Sequence, residues 1–233
     1  MDRAALTTLA REHGFAHVRF AEAGPTPRAD AYARWIAEGR HGEMGYLAAQ
    51  AEVRADPRLR LASARAMMVL GVEHHHRRPP DPGGRTGLVA RYAWGRDYHN
   101  LVGKRLDKLK RALRAGGVAC WGGVDTAPIT ERSWAEAAGL GFSGKNTLQI
   151  LPARTSWMFL AVLALDVEIE PDAPLRDHCG RCARCLSACP TGAFLGPRSL
   201  DATACVAYWT IEARGLAPEP LRARFGRWVF GCD

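Results

Sequence analysis

The sequence predicts a mixed α/β (α+β) domain over residues 1–167, followed by a small cysteine-rich module over 168–233. Three observations carry this prediction. Helical and strand-like periodicities alternate through the first 165 residues. Segments 66–72 and 157–165 are continuous apolar runs of the kind that form buried strands. A stretch with Pro171 and Pro174 then gives way to a cysteine-rich run beginning at His178.

Each element has its own warrant. Residues 4–13 read as a helix stopped by Gly14, and 17–20 as a short strand. Residues 27–38 read as a second helix with Tyr32, Trp35 and Ile36 on one side. The strand at 66–72 feeds a loop, His74 to Gly84, whose prolines and glycines exclude regular structure. Three adjacent histidines, His74, His75 and His76, open that loop. Consecutive side chains at a strand end point in alternating directions, which favours a surface loop over a metal site. Residues 88–92 resume as a strand. Residues 97–114 form the strongest helix, with Val102, Leu106, Leu109 and Leu113 as its apolar stripe. Lys104, Arg105, Lys108, Lys110, Arg111 and Arg114 make the rest basic, a face suited either to solvent or to RNA. Then come a strand at 118–124, a helix at 127–138, and strands at 148–151 and 157–165. Residues 168–177 read as a linker.

The composition is that of an ordinary globular protein, with 47% hydrophobic and 24% charged residues in 233. No run is long enough to span a bilayer, and the amino terminus starts on an amphipathic helix without targeting character. A cytoplasmic location is expected. The net charge of +8 is compatible with a polyanionic partner but does not require one.

The glycines Gly139, Gly141 and Gly144 match G-x-G-x-x-G, and 139–146 nearly matches a P-loop. Both motifs need a strand before and a helix after. Here the expected order is reversed and Asn146 replaces the magnesium-binding hydroxyl, so nucleotide binding is rejected. The glycines are expected to end a helix and allow close backbone approach.

Cys179, Cys182, Cys185 and Cys189-Pro190 have the spacing C-x2-C-x2-C-x3-C-P, the bacterial ferredoxin pattern for a 4Fe–4S cluster. Zinc sites more often pair two C-x2-C arms across a longer gap. A disulfide framework fits poorly, because seven cysteines cannot all pair.

Segments 88–99, 124–132, 138–146, 179–193, 205–212 and 230–233 together resemble the epoxyqueuosine reductases, in order along nearly the whole chain. The resemblance implies a cobalamin-dependent, iron–sulfur oxidoreductase that reduces epoxyqueuosine to queuosine in the tRNA anticodon. It implies a flavin-reductase/nitroreductase-like cobalamin-binding domain, a two-cluster ferredoxin-like module, and a fold similar to that of the reductive dehalogenases. Asp125 corresponds to the proton donor. Residues alone leave a second role open, because Asp125-Thr126-Ala127-Pro128 is also a good helix start with Asp125 or Thr126 as cap. A donor carboxyl needs a raised pKa, which burial against the corrin would provide.

By the same resemblance Arg54, Ala90, Asp125, Gln149, Leu160, Ala207, Ala213, Cys232 and Asp233 lie at the cobalamin, and Arg214 touches tRNA. Each small residue among them also suits an ordinary core. One cluster takes Cys179, Cys182 and Cys185, the other Cys189, Cys205 and Cys232, each one ligand short of the family pattern. Cys120 is expected to be a buried structural thiol. The chain is therefore expected to be a shortened form, and a monomer, drawing electrons from a protein or small-molecule donor. Two other readings are an iron–sulfur flavin- or corrin-linked oxidoreductase with another substrate, and an inactive remnant that binds zinc or RNA.

Overall fold

The computed structural model describes residues 1–152 and 156–232. Strands β1 (His17–Glu22), β2 (Ala66–Glu73), β3 (Cys120–Gly123) and β4 (Met158–Leu165) form one sheet in the order β1–β2–β4–β3. Every pairing is antiparallel. The helix–strand alternation therefore builds the α+β form of the expected class, not a parallel sheet.

β2 up to Val72 and the whole of β4 are apolar, because both faces of the central sheet are covered. Met68 and Leu70 of β2, with Ala161, Leu163 and Leu165 of β4, face helices α1 (Arg3–Glu12) and α3 (Tyr98–Ala115). The stripe Val102, Leu106, Leu109 and Leu113 is fully buried in that layer. Met67, Val69, Val162 and Ala164 point the other way, against Ile129, Trp134 and Ala135 at helix α4 (Glu131–Ala137). Helix α2 (Ala29–Ala37) packs on the short helix Ala51–Ala55. Cys120 is buried in the sheet, and its Sγ lies 3.8 Å from the Lys110 carbonyl oxygen.

Several boundaries differ from the sequence expectation. The strand expected at 88–92 is only Leu88–Val89, followed by a 3-10 turn at Arg91–Ala93. Strand 118–124 shortens to Cys120–Gly123, and 148–151 to Gln149–Ile150. The helix expected from residue 127 begins at Glu131. Asp125 adopts a left-handed conformation, φ 56°, and a proline at 128 disfavours the helical region for the residue before it. Neither Asp125 nor Thr126 caps α4; Thr130 occupies that position.

The cysteine module is closely integrated with the first domain. Its strand Trp228–Phe230 pairs in parallel with Leu88–Val89. Trp35 Nε1 donates to the Leu200 carbonyl at 2.6 Å, and the Tyr208 hydroxyl accepts from the Glu43 backbone at 2.9 Å. The expected linker is pinned too: Asp172 receives Arg3, Arg19 and the Phe20 backbone N–H, and Ile169 lies in the core.

A helix does precede Gly139 and a short strand, Phe142–Ser143, follows Gly141, the reverse of a phosphate-binding turn. Gly139 has φ 64°, and a Cβ there would overlap the Ala173 carbonyl oxygen. Gly139→Ala should destabilise the fold by about 2 kcal/mol or more, combining backbone strain with a clash against a backbone atom. Chemical denaturation, compared with Gly215→Ala in open space, checks this.

Candidate active site and cluster module

The turn after β3 carries Asp125. Its carboxylate Oδ2 accepts from the Tyr98 hydroxyl at 2.9 Å and lies 2.8 Å from His99 Nε2. The backbone N–H of Asp125 donates to Glu131 Oε1 at 2.9 Å, so α4's first residue reaches back and fixes the left-handed turn. Tyr98 and His99 are the first residues of α3, and Asp97 caps that helix by accepting from the His99 N–H. Two ends of different helices thus meet at one carboxylate.

Burial raises the Tyr98 pKa strongly, and the neighbouring Asp125 charge adds to it, so this hydroxyl stays a donor. Burial also pushes Glu131 up to about 7, and Asp125 contributes in the same direction. The Asp125 side chain is itself 57% exposed. Protein atoms alone therefore do not supply the burial expected of it.

Other expected residues converge from several elements. Arg54 is buried, with Nη1 donating to the Ile129 carbonyl at 3.3 Å and Nε unpartnered. Tyr46 joins the two parts of the chain: burial raises its pKa first, then Glu212 and Asp125, while Arg54 opposes. Gln149 is buried with neither amide atom hydrogen-bonded. A Cβ at Gly141 would lie 2.8 Å from Gln149 Nε2 and 2.5 Å from the Ile150 oxygen, so glycine is needed beside it. Ala90 is fully buried, donates its N–H to the Phe230 carbonyl, and faces Gly231, where a Cβ would come within 2.7 Å. Leu160 is half-buried opposite Gly71. Ala207 and Ala213 flank the turn Tyr208–Glu212 and are half-buried; Arg214 is exposed, its N–H on Glu43. Cys232 is exposed. Asp233 lies outside the described residues.

Tyr46, Asp97, Tyr98, His99, Glu131 and Glu212 were not singled out from the sequence as site residues. The available signal for three of them is the polar Asp97-Tyr98-His99 run at the start of a long amphipathic helix.

All seven cysteines are free thiols. The ligand loop is held by Lys145, whose Nζ donates to the Gly180 and Cys182 carbonyls, both at 2.8 Å. Burial raises the Cys189 thiol pKa, but hydrogen bonds from Thr191, Ala193 and Gly192 outweigh it and leave the thiol below its ordinary value. Among the described residues no three His, Cys, Asp or Glu side chains converge on a single ion. His74 stacks on Phe159 at 4.2 Å and belongs to no such group. A second feature is a groove of about 480 Å³ lined by Trp94, Trp157, Trp228, Arg78 and Arg91. The Arg91 guanidinium lies 4.6 Å over the Trp157 ring.

An α+β domain with a carboxylate-centred site, packed against a module whose cysteines follow the ferredoxin spacing, points to the class of iron–sulfur redox proteins. Residues 178–233 match the 4Fe-4S double cluster binding domain, and residues 54–126 match the epoxyqueuosine reductase QueG model. The epoxyqueuosine reductase of Synechococcus sp. (strain CC9605) is 41% identical, covering 98% of this chain and 72% of that protein. That of Xanthomonas campestris pv. campestris is 39% identical, covering 99% and 67%. A crystal structure of epoxyqueuosine reductase with an epoxyqueuosine-modified tRNA-Tyr stem loop superposes with a TM-score of 0.87 at 31% identity, covering 99% of this chain and 62% of that one. A Bacillus subtilis epoxyqueuosine reductase, described with its catalytic aspartate loop swung out of the active site, gives 0.88 at 30%, covering 99% and 62%. The chain belongs to the epoxyqueuosine reductase family. It spans between 62% and 72% of the length of these relatives. No helix among the described residues is long and apolar enough to cross a membrane.

Glu131 gives a test of the site's electrostatics. Its pKa is higher in the fold than in the unfolded chain, so the folded state holds the extra proton between about 4.5 and 7. Stability therefore falls as pH rises through that window. Glu131→Gln should remove this loss, making the variant more stable than the parent by roughly 1–3 kcal/mol at pH 8 but not at pH 4. Thermal melts across that pH range check it.

Proposed function

We propose that this chain reduces epoxyqueuosine to queuosine in the tRNA anticodon, with electrons passing through 4Fe–4S clusters to cobalamin. The observation that carries the reading is Asp125: a carboxylate in a strained turn, anchored by Tyr98, His99 and Glu131, at the place where Arg54, Tyr46 and Glu212 meet. The substrate named for the stem-loop relative and the catalytic aspartate loop of the Bacillus subtilis relative support it. The domain at 1–167 is read as flavin-reductase/nitroreductase-like and cobalamin-binding, and 168–233 as the cluster module.

The residues present fit a corrin. A macrocycle fringed with amides supplies both donors and acceptors, and Gln149 offers a buried amide with neither atom satisfied. Arg54, Ala90, Leu160, Ala207 and Ala213 would complete the cradle, with Cys232 nearby, and Cys179, Cys182, Cys185, Cys189, Cys205 and Cys232 would hold iron. When bound, these groups supply two low-potential electrons. Asp125 gives a proton to the epoxide oxygen as it leaves its carbon. Tyr98 orients the acid, and Glu131 holds the turn that presents it. Arg214, the basic face of α3 and the tryptophan–arginine groove would engage tRNA, since aromatic faces stack bases and guanidinium groups pair phosphates. The reading places the chain in a reducing compartment, the cytoplasm, as a monomer served by a protein or small-molecule electron donor.

Asp125→Asn keeps size and the Tyr98 bond but cannot donate a proton. Turnover should fall by ~10²-fold or more while the corrin absorption of the reconstituted protein is unchanged. Undiminished epoxide reduction would refute the assignment. Iron content should depend on the module's cysteines. Cys182→Ala should bind less iron than the parent after anaerobic reconstitution, read by iron counting and electron paramagnetic resonance; iron retained in full would remove Cys182 from the ligand set.

A further inference from the structure

The reaction consumes two protons, and one carboxyl carries one. Reducing an epoxide to an alkene breaks two C–O bonds, forms one carbon–carbon π bond, and takes two electrons and two protons. The oxygen leaves as water. With the iron–sulfur and corrin donor supplying the electrons, Asp125 supplies the first proton and a second must follow.

We propose that His99 is the positioning and proton-relaying partner of Asp125, passing its Nε2 proton to the carboxylate that the first transfer leaves behind. This rests on the function proposed above. His99 lies between two carboxylates: Nε2 is 2.8 Å from Asp125 Oδ2, and Nδ1 is 2.8 Å from Asp97 Oδ1. Asp97 is itself fixed by the His99 N–H at 2.9 Å and by Asn100 Nδ2 at 3.1 Å. The imidazole stacks on Tyr98 with centroids 4.1 Å apart, and Tyr98 stacks on Phe159 at 4.2 Å. The ring is thus oriented from its two nitrogens and one face.

The charged form suits this setting, because each N–H then donates to a carboxylate. Burial lowers the His99 pKa, but the bonds to Asp125 and Asp97 outweigh it and leave it above the ordinary value. After giving up the Nε2 proton, the neutral ring keeps its Nδ1–H on Asp97. Tyr98 cannot take this role, because its proton is held too tightly.

A groove of about 230 Å³ opens beside His99, lined also by Gly103, Asp107, Lys110, Gly123 and Thr126. It can hold several waters, which give the imidazole a route to recharge from solvent. The titratable groups facing this arrangement are Asp97, Tyr98 and Asp125 directly, Asp107 and Lys110 across the groove, and Glu131 behind the Asp125 backbone.

Two measurements test the relay. The first is a histidine-selective NMR titration of the chain. The His99 pKa should lie above the ordinary value and drop by at least about half a unit in Asp97→Asn and in Asp125→Asn. The second is the pH dependence of kcat in the reconstituted holoenzyme. The parent's kcat should fall on the alkaline side; His99→Gln should lower kcat by roughly ten- to a hundredfold, leave KM for tRNA within about threefold, and abolish that fall. Added imidazole should restore part of the rate to His99→Gly. A His99→Gln enzyme with the parent's kcat and alkaline limb would overturn the proposal, as would a His99 pKa indifferent to both aspartates. If the parent enzyme fails to turn over epoxyqueuosine tRNA, the functional reading fails, and the NMR titration still decides whether the coupled Asp97–His99–Asp125 set exists.

Discussion

The pairing of β2 with β4 fixes where every functional group can be. The two strands run antiparallel from Ala66 opposite Leu165 to Glu73 opposite Met158, and Ala66–Gly71 and Ala161–Leu165 are buried on both faces. Because each alternates its side chains between two apolar layers, a slip of one residue would exchange those layers and expose both. That constraint locks β3 against β4, and β3 delivers Asp125 to the rim of the sheet. The same layers hold α3 on one side and α4 on the other. Their amino-terminal ends reach the Asp125 turn from opposite faces.

What those helix ends bring is polar. Each helix start exposes unpaired N–H groups and favours negative charge, yet the turn itself holds three carboxylates: Asp97, Asp125 and Glu131. Repulsion among them is relieved by giving each a donor. Asp97 takes the His99 N–H, Asp125 takes Tyr98 and His99, and Glu131 takes the Asp125 N–H. Burial raises the Glu131 pKa to about 7, and the bonds to Asp125 and Asp97 raise that of His99. Two groups of opposite kind are thereby poised around one acid.

The long strands, the stripe of α3 and the cysteine ligand loop were legible in the sequence because each is set by local pattern. Runs apolar at every position read as strands covered on both sides, and C-x2-C-x2-C-x3-C-P has few other chemical uses. The start of α4 was not legible. Asp125-Thr126-Ala127-Pro128 has the composition of a helix cap, and only the contact with Glu131 shows that these residues form a strained turn instead. His99 was missed for a related reason. Its partner Asp125 is 26 residues away, and nothing in the helical periodicity distinguishes it from a solvent-facing residue. Tyr46 and Glu212 become neighbours only when the module folds back on the first domain.

Lys145 has a meaning for how such enzymes can be taken apart. Its ammonium group belongs to the first domain but closes the cysteine loop by binding two carbonyls of the second. Arg198 returns the connection, with Nε on the Ser143 carbonyl and its N–H on that of Lys145. The electron-carrying part is therefore not an interchangeable cassette. A ferredoxin grafted at the linker would arrive without the carbonyls that Lys145 binds, and the host would present a half-buried ammonium group without its two acceptors. Recombination between distant members of the family should consequently succeed only where this lysine and its loop are inherited together.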